Sequence, residues 1–182
     1  MSTFAIIHAP GAATAKLVTR LARQGSSVRV ATEGDDLQSV LTSSIDVLIL
    51  TSGTPSGSGD TWALGPKTTP VLTADTLPER IDAKVVIVDV PDGAEIEAAV
   101  RSRLPKGAIT LRSAHAAARK EFAEDSFELL GEFVTAAYDK YKPDVEDLAR
   151  VWVEVEDAAV KASGGALTRR REPLRFVRTL VG

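Results

Sequence analysis

Two segments, IDVLILTS (Ile45–Ser52) and AKVVIVDV (Ala83–Val90), are apolar with no alternation of polar residues. A strand that faces water on one side alternates polar and apolar side chains. A strand buried on both faces does not, and such strands belong to the centre of parallel sheets covered by helices on both sides. Two strands of this kind in one chain predict an α/β fold before any other feature is considered.

The rest of the chain reads consistently with them. STFAIIHAP (Ser2–Pro10) is a short apolar strand stopped by Pro10 and Gly11. The next segment places Leu17, Val18, Leu21 and Ala22 at helical spacing, with Gly25 as a natural stop. SSVRVAT alternates and reads as a second strand. DDLQSVLTSS reads as a short helix with acids in its first turn, where the helix dipole favours them. A loop of Gly, Ser, Thr and Pro is expected over about Gly53 to Thr69. A brief helix TADTLPERI follows, with Thr73 as N-cap. GAEIEAAVRSRL is an amphipathic helix and KGAITLRS a fifth strand. From Ala114 the chain is mostly helical until LRFVRTLVG, a final apolar strand. Alternating strands and helices imply a mainly parallel sheet with helices on both faces. The 182 residues show no internal repeat and no boundary, so one domain spanning residues 1–182 is expected.

Composition removes whole classes of function. There is no cysteine, hence no thiolate nucleophile and no zinc–thiolate site. A cysteine-free chain also fits a reducing compartment. The net charge of −3 provides no case for nucleic acid. The opening MSTFAIIHAP has neither the basic start nor the long apolar run of a signal peptide, and no stretch has the length of a membrane helix. A cytoplasmic protein without membrane association is the expectation.

Ligands in such sheets gather at the C-terminal ends of the strands. HAPGAATAK is neither a dinucleotide fingerprint nor a phosphate-binding P-loop. His8 and His115 are the only histidines. Neither has a partner at helical spacing, so no metal site is expected and both read as polar rim residues. Ser52 ends a strand but lacks the Gly-x-Ser-x-Gly elbow of a nucleophile. Asp89 and Asp92 flank Pro91, and the plain reading of these acids is that they cap the helix from Ala94. Three arginines in TRRRE (Thr168–Glu172) read as a solvated loop. Leu148, Val151, Trp152 and Val155 form a helical core stripe. Trp62 stands in polar surroundings, where it packs locally or covers a cleft.

The order of these elements resembles the caspase-like cysteine peptidases: caspases, metacaspases and the bacterial caspase-like and CHAT domains. The resemblance covers roughly Ile45 to Val181. It rests on an apolar strand ending in a small residue plus Gly, a glycine-rich loop, LTADTLPERIDA and then KVVIVDVPDG. Downstream, GAITLRSAHAAARKEF is similar to the family's fifth strand and the segment after it. GEFVTAAYDKY is similar to its Gly-x-Phe-Thr-x-x-Leu helix, with Val134 inserted before Thr135. RRREPLRFVRTLV is similar to the basic entry to its last strand. The first 44 residues fit the fold without a distinguishing motif. The resemblance implies a three-layer α/β/α sandwich around a six-stranded, mainly parallel sheet with an antiparallel last strand.

In that family one strand ends in His-Gly, with the catalytic histidine, and the next in Asp-x-Cys-x-Ser-Gly, with the nucleophile. Here Ser52-Gly53 replaces His-Gly, and Val90 or Pro91 stands where the cysteine belongs. Both catalytic residues are missing. The resemblance therefore implies a catalytically inactive pseudopeptidase with no cofactor, acting as a regulatory or protein-interaction module. Asp89 matches the acid that precedes the family's cysteine. Asp89, Asp92, Trp62, Arg112, Ser113 and His115 are the candidates for a remnant cleft or partner-binding surface. The last strand, Leu174 to Val181, is the candidate for pairing with a second chain, either a copy of itself or an active relative. An alternative stays open. The N-terminal half also resembles TIR-like domains, which cleave NAD with a glutamate, although Glu33 sits in a loop. A flavodoxin-like sheet could instead hold a phosphate or nucleotide at Gly11 and Gly53–Gly59.

Overall fold

The computed structural model describes residues 3–8, 19, 27–31, 37–51, 63, 64, 72–90, 93–113 and 176–182. The expected helices between Ala114 and the last strand, with Trp152, lie outside the described residues, as do most of the expected first helix and Trp62.

The protein is an α/β fold built on a mostly parallel sheet with an antiparallel edge strand. Strands β1 (Thr3–His8), β2 (Ser27–Ala31), β3 (Ile45–Thr51), β6 (Ala83–Asp89), β7 (Ile109–Ser113) and β8 (Phe176–Leu180) form one sheet in the order β2-β1-β3-β6-β7-β8. Every neighbouring pair is parallel except β7 with β8. Two further strands, β4 (Ala63–Leu64) and β5 (Leu72–Thr73), pair antiparallel as a separate ladder. Helix α1 is Leu37–Thr42 and helix α2 is Ala94–Arg101. No helix among the described residues is long and apolar enough to cross a membrane.

Burial explains the two uninterrupted apolar runs. Val47, Leu48, Ile49 and Leu50 of β3 and Val85, Val86, Ile87 and Val88 of β6 are all buried, so both faces of these central strands are sealed. One face carries Leu48, Leu50, Val86 and Val88. It packs with Leu41 of α1, Leu64 and Leu72 of the β4–β5 ladder, and Ile96 and Val100 of α2. The common side of α1 and α2 follows from right-handed crossovers that all step the same way across the sheet. The expected alternation in β2 is weaker than its sequence suggests, and Val30 stays partly exposed on this edge strand.

Two sequence expectations are corrected. The segment TADTLPERI is not a helix: Leu72–Thr73 is strand β5, followed by a turn. The capping signal at Thr73 is nevertheless real. Thr76 N donates to Thr73 Oγ1 at 3.2 Å, and Thr73 N donates to Thr76 Oγ1 at 2.8 Å, which is the reciprocal arrangement of a capping box. Pro78 stops propagation, because the residue before a proline is pushed out of the helical region. The loop expected over about Gly53 to Thr69 contains strand β4 at Ala63–Leu64, whose Leu64 is pulled into the core.

The N-terminal edge of the sheet is held by a polar clamp across three strands. Asp46 of β3 accepts from the Thr3 amide of β1 at 2.9 Å and from Lys84 Nζ of β6 at 2.6 Å. Burial opposes ionisation of Asp46. The Lys84 hydrogen bond, the Thr3 amide and the Lys84 charge outweigh it, so the carboxyl titrates below its ordinary 3.8. Lys84 is raised correspondingly by its hydrogen bond to Asp46 and by that carboxylate's charge. A depressed carboxyl stabilises the fold above its unfolded value and loses that contribution as pH falls through its folded value. Asp46→Asn is therefore expected to lower unfolding free energy by about 1 kcal/mol at neutral pH. In chemical denaturation, that gap to the wild type closes as pH falls below the ordinary carboxylate range. A gap that persists unchanged into strong acid would contradict the clamp.

At the same edge, Gly107 fixes the approach of β8. Its φ is +85°, and Ala108 N donates to Pro105 O at 3.1 Å, a turn that needs the left-handed region at its third position. Gly107 N donates in turn to Val181 O at 2.9 Å. Gly107→Ala meets no atom within 4 Å, so its cost is conformational, about 1 kcal/mol. The expected readout is a lower melting temperature with faster amide exchange at Val181; exchange and melting both unchanged would refute this role for the turn.

Candidate functional site

The C-terminal edge is where the sheet changes chemical character. The register aligns His8 of β1 with Thr51 of β3, and Thr51 with Asp89 of β6. Neighbouring strands lie about 4.8 Å apart, so these three residues occupy consecutive positions along one row. Val88 pairs with Arg112, which puts Ser113 of β7 at the next step beside Asp89. One step back towards the core, the row is Ile7, Leu50 and Val88. Leu50 and Val88 have no exposed surface. The change from apolar to polar therefore occurs in one register step across three adjacent strands.

Of the residues singled out in the sequence, Ser52 and Gly53 directly follow Thr51, and Val90, Pro91 and Asp92 directly follow Asp89. The ends of β3 and β6 are thus neighbours. Ser52, Gly53, Pro91, Asp92, Trp62 and His115 lie outside the described residues. Arg112 is half-buried on β7, two residues beyond Thr110, and so on the face that carries α2.

Val90 is described, and its side chain is completely buried in the core cluster. The reason is the tight passage from β6 into α2. A Cβ on Gly93 would meet Val90 Cγ2 at 2.9 Å, Val88 Cγ1 at 3.0 Å and the Val90 carbonyl at 3.2 Å. Glycine is required here by space, since its φ of −72° is open to any residue. Gly93 is also the N-cap of α2 and makes no side-chain cap bond. Asp92, expected together with Asp89 to cap this helix, lies outside the described residues. The first turn is served by Glu95 and Glu97, whose charge suits the N-terminal end of the helix dipole.

One buried polar group escaped the sequence reading. Glu97 is buried on α2 and accepts from Thr110 Oγ1 of β7 at 2.6 Å and from Arg101 Nη1 at 3.1 Å. Thr110 is itself fully buried. A hydroxyl in the middle of an otherwise apolar strand was the available signal, but only the helix–strand pairing identifies its partner. The group locks α2 against β7 and so fixes the exit of β6; it lies beneath the edge rather than on it.

Chemically, the row offers an imidazole, a hydroxyl and a carboxylate, with no thiol anywhere in the chain. No group of three or more His, Cys, Asp or Glu side chains among the described residues is arranged to hold a metal. The chain matches no protein-family model, no curated protein and no solved structure.

The packing at Gly93 is directly testable. Gly93→Ala is expected to cost about 1–3 kcal/mol through overpacking against Val88 and Val90. In a Val90→Ala background the same change should cost less, because one clashing methyl is gone. Equal cost in both backgrounds, measured by denaturant unfolding, would show that Val90 does not seal this passage.

Proposed function

We propose that this chain is a caspase-like pseudopeptidase, a catalytically inactive domain that works as a regulatory protein-interaction module. The observation that carries the reading is the neighbouring, parallel placement of β3 and β6, with Thr51 and Asp89 in register. In a caspase-like peptidase two such strand ends bear the histidine and the cysteine. Here they run into Ser52-Gly53 and Val90-Pro91, none of which can act as the thiolate or its base. The burial of Val90 favours Pro91 as the counterpart of the nucleophile, because a side chain sealed in the core cannot line a cleft.

Other features support the same architecture. β8 runs antiparallel beside β7 at the end of the sheet. Both faces of β3 and β6 are buried, as a six-stranded, three-layer sandwich requires. The cysteine-free chain needs no oxidising compartment, in keeping with a cytoplasmic location.

The last strand is the proposed contact with a second copy. β8 pairs with β7 on one side only among the described residues, and Leu180 on it is 60% exposed. Val181 directs both its amide and its carbonyl towards the β7 side, to Ala108 and Gly107. Backbone groups alternate along an antiparallel strand, so those of Leu180 and Arg178 turn to the outer side. Strand-to-strand pairing there would cover an exposed edge.

The test combines activity with assembly. Purified protein is expected to hydrolyse no peptide with Arg, Lys or Asp at the cleavage position. Sedimentation is expected to show a concentration-dependent dimer. Leu180→Pro removes an outward amide without touching the β7 ladder, and should abolish the dimer while leaving cooperative unfolding intact. Hydrolysis that cofractionates with the protein, or a monomer at all concentrations, would overturn the reading.

A further inference from the structure

Among the described residues two polar or charged side chains are buried, Glu97 and Thr110, and they are bonded to each other. Thr110 has no exposed surface, and Glu97 keeps 7% of its own. Thr110 stands on a fixed reference. Its strand β7 is paired on both sides, with Val86 of β6 and Thr179 of β8 opposite Thr110 in the register. Glu97 stands on α2, the element laid over that strand. The apolar contacts of α2 with the core come from Ile96 and Val100, with Ala99 packed at the margin.

Stability does not account for a carboxylate in this position. Withdrawing it from water is costly, and apolar residues of similar size in place of a buried polar group are often as stabilising or more so. The second partner of Glu97 does not account for it either. Arg101 Nη1 donates to Glu97 Oε1 at 3.1 Å, but Arg101 lies on α2 itself, four residues on, and moves with it. That pair supports the helix and carries no information about where the helix lies. The Thr110 bond does carry it. Aliphatic cores lose uniqueness before they lose stability. An O–H···O bond of 2.6 Å, by contrast, weakens steeply once its partners move out of line.

We infer that the Glu97–Thr110 pair is a positional lock. It forgoes stability to hold α2 at one place on β7, and with α2 the turn from β6 through Val90 and Gly93. That turn has little slack, since a Cβ on Gly93 would meet Val90 Cγ2 at 2.9 Å. The lock does not depend on the pseudopeptidase reading. Under that reading it also gives the interaction edge at the end of β6 one fixed shape to present to a partner.

Three variants of the isotopically labelled full-length protein test this by denaturant unfolding and amide spectra. Glu97→Leu/Thr110→Val removes both polar groups. Its unfolding midpoint should equal or exceed that of the wild type, while the amide signals of residues 94–101, Val90 and Gly93 broaden or split into more than one set. Thr110→Val alone keeps the shape of the side chain but leaves the buried carboxylate without its hydroxyl, so it should unfold at a lower denaturant concentration than the double variant. Glu97→Gln keeps an acceptor for Thr110 and should retain one sharp set of signals. Single, sharp signals in the double variant would overturn the proposal, because α2 would then be positioned without the pair. So would a double variant less stable than the wild type or than Thr110→Val, or split signals in Glu97→Gln.

Discussion

The fold depends on hiding both faces of two adjacent strands. Val47–Leu50 and Val85–Val88 lose their contact with water on each side of the sheet. Each such side chain contributes about 1.5–3 kcal/mol when buried, more than the whole polar clamp at Asp46. α1, α2 and the β4–β5 ladder cover one of those faces, with Leu41, Leu64, Leu72, Ile96 and Val100 in the core cluster. The polar groups act as locators within that scheme. Asp46 aligns the starts of β1, β3 and β6, and Glu97 sets α2 against β7.

The same constraint decides what was legible in the sequence. The central strands β3 and β6 were readable because strands buried on both faces leave unbroken apolar runs, β2 because its residues alternate, and the antiparallel direction of the last strand was anticipated from the resemblance. The turn after Thr73 was misread for an instructive reason. Its capping signature is genuine, but Pro78 limits it to a single turn, and a local signal cannot show how far a helix continues. The β4–β5 ladder was invisible because two-residue strands carry no periodicity. Gly93 was read as the first residue of the helix GAEIEAAVRSRL, and its necessity emerges only from the positions of the Val88 and Val90 methyls.

At the functional edge, sequence reasoning identified strand ends one at a time. His8 and Asp89 were weighed separately, each as a rim residue or cap. What the sequence could not supply was which strands are neighbours and in what alignment, because register is a property of pairs. Once it is known, His8, Thr51 and Asp89 fall in one row. The β3–β6 junction concerns the absence of a thiolate and its base, and with it the proposed loss of peptidase chemistry.

The pseudopeptidase proposal rests on β3 and β6 ending side by side, and the cysteine-free chain makes that simple to measure. Residues paired across adjacent strands lie within the Cα separation a disulfide tolerates, whereas residues two strands apart do not. The double variant Thr51→Cys/Asp89→Cys should therefore cross-link under mild oxidation while remaining folded, and Thr51→Cys/Ser113→Cys should not. Cross-linking of the second pair in preference to the first would show that the two strand ends are not neighbours.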